Sequence, residues 1–220
     1  MKRSVKIGIM ILLMASSTMV LISGSLLKGF ALAILAIIGI YVLEKRQVNR
    51  TLAYFEPLLL RCGRLTYVEE GITLLKGTLV FKKRFTQQMI YIETALQNSK
   101  KRYEDALNIS QPYAQNKKND YHHQLKIERQ YASLKLGDIV EVNQLPVGHK
   151  EKLVYALFLM ETNEDADAIN VLLTLREEET GNMIFKEVNA LLAILYQRCG
   201  SEEAAYYQVI AESFDEEQEI

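Results

Sequence analysis

Tryptophan is absent from this chain, proline occurs three times in 220 residues and cysteine twice. Scarce proline leaves long helices uninterrupted. Cys62 and Cys199 lie far apart with no C-x-x-C spacing, which excludes a disulfide framework and a zinc ribbon; they are expected as free thiols packed as small apolar residues. A glycine-rich phosphate loop, G-x-S-x-G and H-E-x-x-H are all missing. Of the three histidines, His122 and His123 are adjacent, so on a helix they point about 100° apart. Neither has a Cys, Asp or Glu four residues on, and His149 is remote in sequence. No catalytic residue, cofactor site or metal site is expected, and the chain does not read as an enzyme.

What is present first is apolar length. Ile7 to Ile22 carries no charge, and after Ser23-Gly24-Ser25 a second apolar stretch runs from Leu26 to Leu43, interrupted by Lys28. A helix needs about 20 apolar residues to cross ~30 Å of hydrocarbon. Residues 1–43 therefore predict a transmembrane helical hairpin, with spans over about 5–22 and 26–43. A cleaved signal peptide and a re-entrant hairpin are the alternatives. Lys2, Arg3 and Lys6 flank the first span, and Lys45, Arg46 and Arg50 flank the second. By the positive-inside rule both termini should be cytoplasmic, in a multi-pass protein of the cell (plasma or inner) membrane.

The formal net charge of −1 conceals an asymmetry. Residues 44–152 hold 19 Lys/Arg against 12 Asp/Glu, and residues 153–220 hold 3 against 15. The basic part adjoins the apolar hairpin, where anionic lipid headgroups would attract it. Lys82-Lys83-Arg84 and Lys100-Lys101-Arg102 are basic triplets, but glutamates are interspersed and no recognition motif accompanies them, so nucleic acid is not an expected partner. Glu177-Glu178-Glu179 and the tail from Asp215 to Glu219 read as solvated charge runs.

Beyond residue 44 the pattern is all-α. Phe85, Met89, Ile92 and Leu96 form one stripe at helical spacing, Ile127, Tyr131 and Leu134 another, and Leu153, Ala156, Leu157 and Met160 a third. Ile169, Leu172 and Leu173, then Phe185, Val188, Leu192 and Leu195, continue the series. Pro112 and Pro146 fall where second helices should end, and Pro57 predicts a kink or fresh start. Thr66 to Phe81 is rich in β-branched residues and is read as helix, with a hairpin as the alternative.

Leu60-Arg61-Cys62-Gly63 and Gln197-Arg198-Cys199-Gly200 match, each placing glycine after an apolar helix, and Gly137 does the same after Leu134-Lys135-Leu136. Turn-like segments at Arg102–Leu107, Gly137–Val142, Asn163–Ile169 and Gly200–Ala205 place Ala106, Val142, Ala168 and Ala205 at intervals of 36, 26 and 37 residues. With Tyr155-Ala156 and Leu192-Ala193 as first-helix packing positions, residues 85–212 resemble a degenerate tetratricopeptide-like array. The resemblance implies an α-solenoid of about four to five helix pairs over residues 44–220, whose concave face binds a protein or peptide. It implies groove positions at Gln88, Tyr91, Asn189 and Gln197. The expected function is a membrane-anchored scaffold or adaptor that faces the cytoplasm. The alternative is a small subunit of a transport, secretion or envelope-synthesis assembly, in which the hairpin makes the specific contacts.

Overall fold

The computed structural model describes residues 3–22, 26–59, 64–113, 121–178 and 182–216. Ten α-helices and no strand occur among them. Helices α1 (Arg3–Ile22) and α2 (Leu26–Pro57) fold back on each other. Helices α3 (Leu65–Thr78) and α4 (Thr86–Ser99) pack on the second half of α2. The rest comprises α5 (Tyr103–Ser110), α6 (His122–Lys135), α7 (His149–Glu161), α8 (Asp165–Glu177), α9 (Asn182–Arg198) and α10 (Glu203–Glu216). Consecutive helices pack as pairs, α4 with α5, α7 with α8 and α9 with α10, while α6 bridges α4 and α7.

Two apolar clusters hold these layers. One joins Val48, Leu52 and Phe55 of α2 to Val68, Ile72 and Leu75 of α3 and to Met89, Ile92 and Leu96 of α4. The other joins α6 through α10 around Leu153, Ala156, Leu172, Leu175, Val188, Leu192 and Leu195. Thr66 to Phe81 is helical as far as Thr78, because its apolar residues Val68, Ile72, Leu75 and Leu79 recur every three or four and all are buried. Helix α3 lies so close to α2 that a Cβ on Gly71 would stand 2.3 Å from the Phe55 ring. At Pro57, which has no N–H to continue the ladder, α2 ends, and Leu58 and Leu59 form a wider π-type turn.

Helices α4, α6, α7 and α9 stop in the same way. Each is followed by one left-handed residue: Lys101 (φ 58°), Gly137 (φ 83°), Asn163 (φ 61°) and Gly200 (φ 70°). The next residue's N–H then bonds five residues back, as in Arg102 to Gln97 O, Asp138 to Ser133 O, Glu164 to Leu159 O and Ser201 to Tyr196 O. The spacing of these turns equals the 36-, 26- and 37-residue intervals read from sequence. Three of the four turns lead into a second helix. The one at Gly137 leads into irregular chain through Gly148, because Ile139, Val140, Val142 and Val147 favour extended backbone and Pro146 bars a helix. Val140 and Val142 still pack on the core. Ala106 and Ala168 are fully buried, whereas Ala205 is exposed.

Several expectations are corrected. Among the described residues no helix is long and apolar enough to cross a membrane, which overturns the multi-pass membrane placement with both termini cytoplasmic. The physical reason lies at the base of the hairpin. The apolar part of α2 runs directly into Glu44, Lys45 and Arg46, with no break at residue 43. Lys6, expected to flank the first span, is buried at 3% exposure, with Nζ 3.0 Å from Glu44 Oε1 and 3.2 Å from Gln47 Oε1. Glu44, wholly buried, also accepts the backbone N–H of Val80 at 2.7 Å and of Phe81 at 3.0 Å. Lys45, Arg46 and Arg50 are exposed, Arg3 opens α1, and Lys2 and Ser23-Gly24-Ser25 lie outside the described residues. Cys199 is exposed rather than packed, since it sits on the capping turn after α9, and Cys62 and Gly63 lie outside the described residues.

Removing one partner of a buried ion pair strands the other, at a cost of about 3–5 kcal/mol. Lys6→Met is expected to lower the urea midpoint strongly, and Lys6→Met/Glu44→Gln to recover a good part of the loss in a double-mutant cycle. Gly71→Ala is expected to lower Tm by roughly 2–4 °C, because overpacking against Phe55 outweighs the helix propensity gained.

Candidate partner-binding site

Where α4 ends and α6, α7 and α9 converge, a cavity of about 200 Å³ opens between the two apolar clusters. Its walls come from five parts of the chain. Asn98 and Ser99 close α4, Lys101 is the left-handed residue after it, Tyr103 opens α5, and Tyr131 and Lys135 lie on α6. Lys150 stands in the first turn of α7, Lys186, Glu187 and Ala190 come from α9, and Leu59 provides an apolar edge.

The polar centre is a chain of paired groups. The Tyr131 hydroxyl donates to Glu187 Oε1 at 2.5 Å, and Lys135 Nζ stands 2.6 Å from the same oxygen. Lys150 Nζ lies 3.6 Å above the Tyr131 ring centroid and 3.8 Å from Glu128 Oε2. Tyr103 meets Tyr131 edge-on, with centroids 6.0 Å apart. Asn98, 2% exposed, donates through Nδ2 to Glu128 O at 2.9 Å and to Glu128 Oε2 at 2.7 Å. Its Oδ1 is buried and accepts nothing from the described residues.

These contacts set the protonation states. Burial works to raise the Glu187 carboxyl, but the ammonium groups of Lys135 and Lys150, with the hydrogen bonds from Lys135 and Tyr131, hold it below its ordinary value. Burial, and then the Glu187 charge, push the Tyr131 hydroxyl well above its ordinary value, and Tyr103 moves the same way for the same reasons. The site therefore offers lysine side chains, neutral phenols and two paired carboxylates, Glu187 and Glu128. It suits the binding of an anion better than proton transfer.

The groove positions expected from sequence are not brought together. Tyr91 is 8% exposed, and its hydroxyl donates to Glu56 Oε1 of α2 at 2.7 Å. Its ring tilts on Tyr121, and Gln88 is half-buried one turn earlier. Asn189 is wholly buried, accepting from Arg176 Nε at 3.0 Å and donating to Phe185 O at 2.7 Å. Gln197 is exposed and lines a separate groove between α9 and α10 with Ala193, Ile194 and Gln208. The histidines diverge: His123 pairs with Glu151, while His149 Nε2 stands 3.3 Å from Glu178. No cluster of three metal-ligating side chains occurs among the described residues. The lysines of the cavity were missed because they come from helix ends as much as 85 residues apart; the partial signal was a lysine at two of the four capping turns, at Lys101 and Lys135.

A carboxyl held low in the folded state favours folding in its ionised form. The contribution of Glu187 is thus present above the ordinary glutamate value of 4.5 and fades as pH falls through its folded value. Glu187→Gln is expected to lower the urea midpoint at pH 6 and to narrow the gap to wild type at pH 3. No protein-family model matches the chain, and no curated protein or solved structure matches it significantly.

Proposed function

We propose that this chain is a scaffold or adaptor that acts by binding, holding an extended acidic segment of a protein partner in the cavity between α4, α6, α7 and α9. The observation that carries the reading is the convergence of Lys101, Lys135 and Lys150 on one concave site whose nearby carboxylates, Glu187 and Glu128, are already paired. An incoming carboxylate would meet an excess of ammonium charge across partly desolvated walls, where ionic contacts are stronger than in open water. The buried Asn98 Oδ1 would accept a peptide N–H, which gives an extended chain a direction as well as a charge. The half-buried Tyr103, held edge-on by Tyr131, supplies apolar contact beside the charges. A tetratricopeptide-like array suits this reading, since helix pairs stacked in series form a concave surface that can hold an extended chain.

A fluorescein-labelled hexaglutamate peptide tests the site by polarisation. The full chain is expected to bind it more tightly than hexaserine, with affinity falling as salt rises. Lys101→Glu/Lys186→Glu, two exposed or half-buried positions, should weaken binding at least tenfold with an unchanged circular dichroism spectrum. Equal binding by this variant would refute the reading.

The second reading is a small subunit of a larger assembly in which the hairpin makes the specific contacts. It is favoured by the apolar surface of that hairpin, where Leu12 is 70% and Met19 77% exposed. Replacing residues 1–43 with an unrelated hairpin separates the two: the scaffold keeps its peptide affinity and its partner, and the subunit loses its place in the assembly.

A further inference from the structure

The hairpin carries its own inference, independent of the lysine cavity. Among the described side chains from Ile9 to Leu43, fifteen large apolar ones are exposed. They do not form one face. Leu12, Leu13 and Met14 are consecutive on α1, as are Ile34 and Leu35, then Ile37 and Ile38, on α2, so at 100° per residue they point in every direction away from the hairpin axis. A second copy of the chain, or a protein groove, would cover one side and leave the others wet. A fluid apolar medium covers them all.

The polar groups of the hairpin are arranged for such a medium. Ser16, Ser17 and Thr18 each turn their hydroxyl back onto the carbonyl four residues earlier, at 2.8, 2.7 and 2.8 Å, so none needs water. At the base, Lys6 and Glu44 neutralise each other out of solvent, and immediately beyond them Lys45, Arg46 and Arg50 are exposed. Apolar below, neutralised at the boundary and basic above is the order of an anionic lipid surface. The rise from Ile7 to Ile22 is about 24 Å at ~1.5 Å per residue, short of the ~30 Å of bilayer hydrocarbon. Lys28, in the first turn of α2, is the single charge in the sequence between Lys6 and Glu44.

We infer that the α1–α2 hairpin is covered by lipid acyl chains: it dips into one side of an anionic bilayer and returns through the same side without crossing it, as far as a basic collar formed by Lys45, Arg46 and Arg50. The helical array then lies against the headgroups, with Glu44 marking the depth at which protein packing replaces lipid.

The chain contains no tryptophan, so single introduced tryptophans report cleanly. The full chain, carrying Phe30→Trp or Tyr54→Trp, is mixed with vesicles of phosphatidylcholine and phosphatidylglycerol in a 7:3 ratio, with bromines placed deep or shallow on the acyl chains. The chain should float with the vesicles and stay bound in 1 M NaCl, with Phe30→Trp quenched by deep bromines and Tyr54→Trp by neither. A Lys45→Glu/Arg46→Glu/Arg50→Glu variant should bind these vesicles at least tenfold more weakly than wild type but bind pure phosphatidylcholine equally. A Ser23→Cys chain on sealed vesicles should resist an impermeant maleimide trapped in the lumen. Failure to float, a lipid-free monodisperse dimer that shields Phe30→Trp from iodide, or lumenal labelling at residue 23 overturns the inference. None of these outcomes bears on hexaglutamate binding, so the two readings fail separately.

Discussion

A carboxyl group buried within the protein is the constraint on which this architecture rests. Glu44 is wholly buried and receives an ammonium from α1 and two backbone N–H groups from the segment that follows α3. An unpaired carboxylate there would cost several kcal/mol, so all three donors must be in place together. Tyr41, one turn earlier, stacks on Phe85 and meets Phe81 edge-on, which places an aromatic layer beside the polar knot. Helices α1, α2 and α3 and the start of α4 are thus fixed relative to one another by one side chain and its immediate neighbours. The apolar cluster of α2, α3 and α4 then packs on geometry already set.

The second organising device is repetition of a turn. Four helices end by spending a single left-handed residue and closing the same backbone hydrogen bond. Glycine does this without steric cost at residues 137 and 200, while Lys101 and Asn163 do it with a Cβ present. The turn reverses the chain sharply enough for small residues such as Ala106 and Ala168 to seat the next helix at close range. Where the following residues resist helix, as after Gly137, the turn still forms and a mostly exposed irregular segment follows, touching the core through Val140 and Val142. The lysine cavity lies at the join between the two apolar clusters, where helix ends from successive units meet.

Much of this was legible in the residues. The amphipathic stripes became core, the intervals between turns were those found, and the glycines at 137 and 200 marked helix ends because only a left-handed residue fits there. Less was legible wherever burial decided the matter. Glu44 after an apolar run reads as the edge of a hydrophobic segment, and nothing local announces that its partner lies 38 residues earlier. Asn189 reads as a surface amide until Arg176 and the α9 carbonyl are seen to enclose it. Lys135 and Lys150 look like solvated charges, and only the packing of α6 against α7 and α9 turns them toward Tyr131 and Glu187. Stripes are periodic along one element, whereas a site is assembled across several.

Helix α2 belongs to both parts of the molecule. It is one α-helix from Leu26 to Pro57, about 48 Å long at ~1.5 Å per residue, with its first half in the apolar hairpin and its second half in the core. With no proline or loop between the halves, it is a stiff shaft rather than a linker. A tilt or roll imposed on the hairpin must reach the helical array at full amplitude, as torque about Val48, Leu52 and Phe55. Whatever surrounds the hairpin therefore sets the orientation in which the lysine cavity is presented.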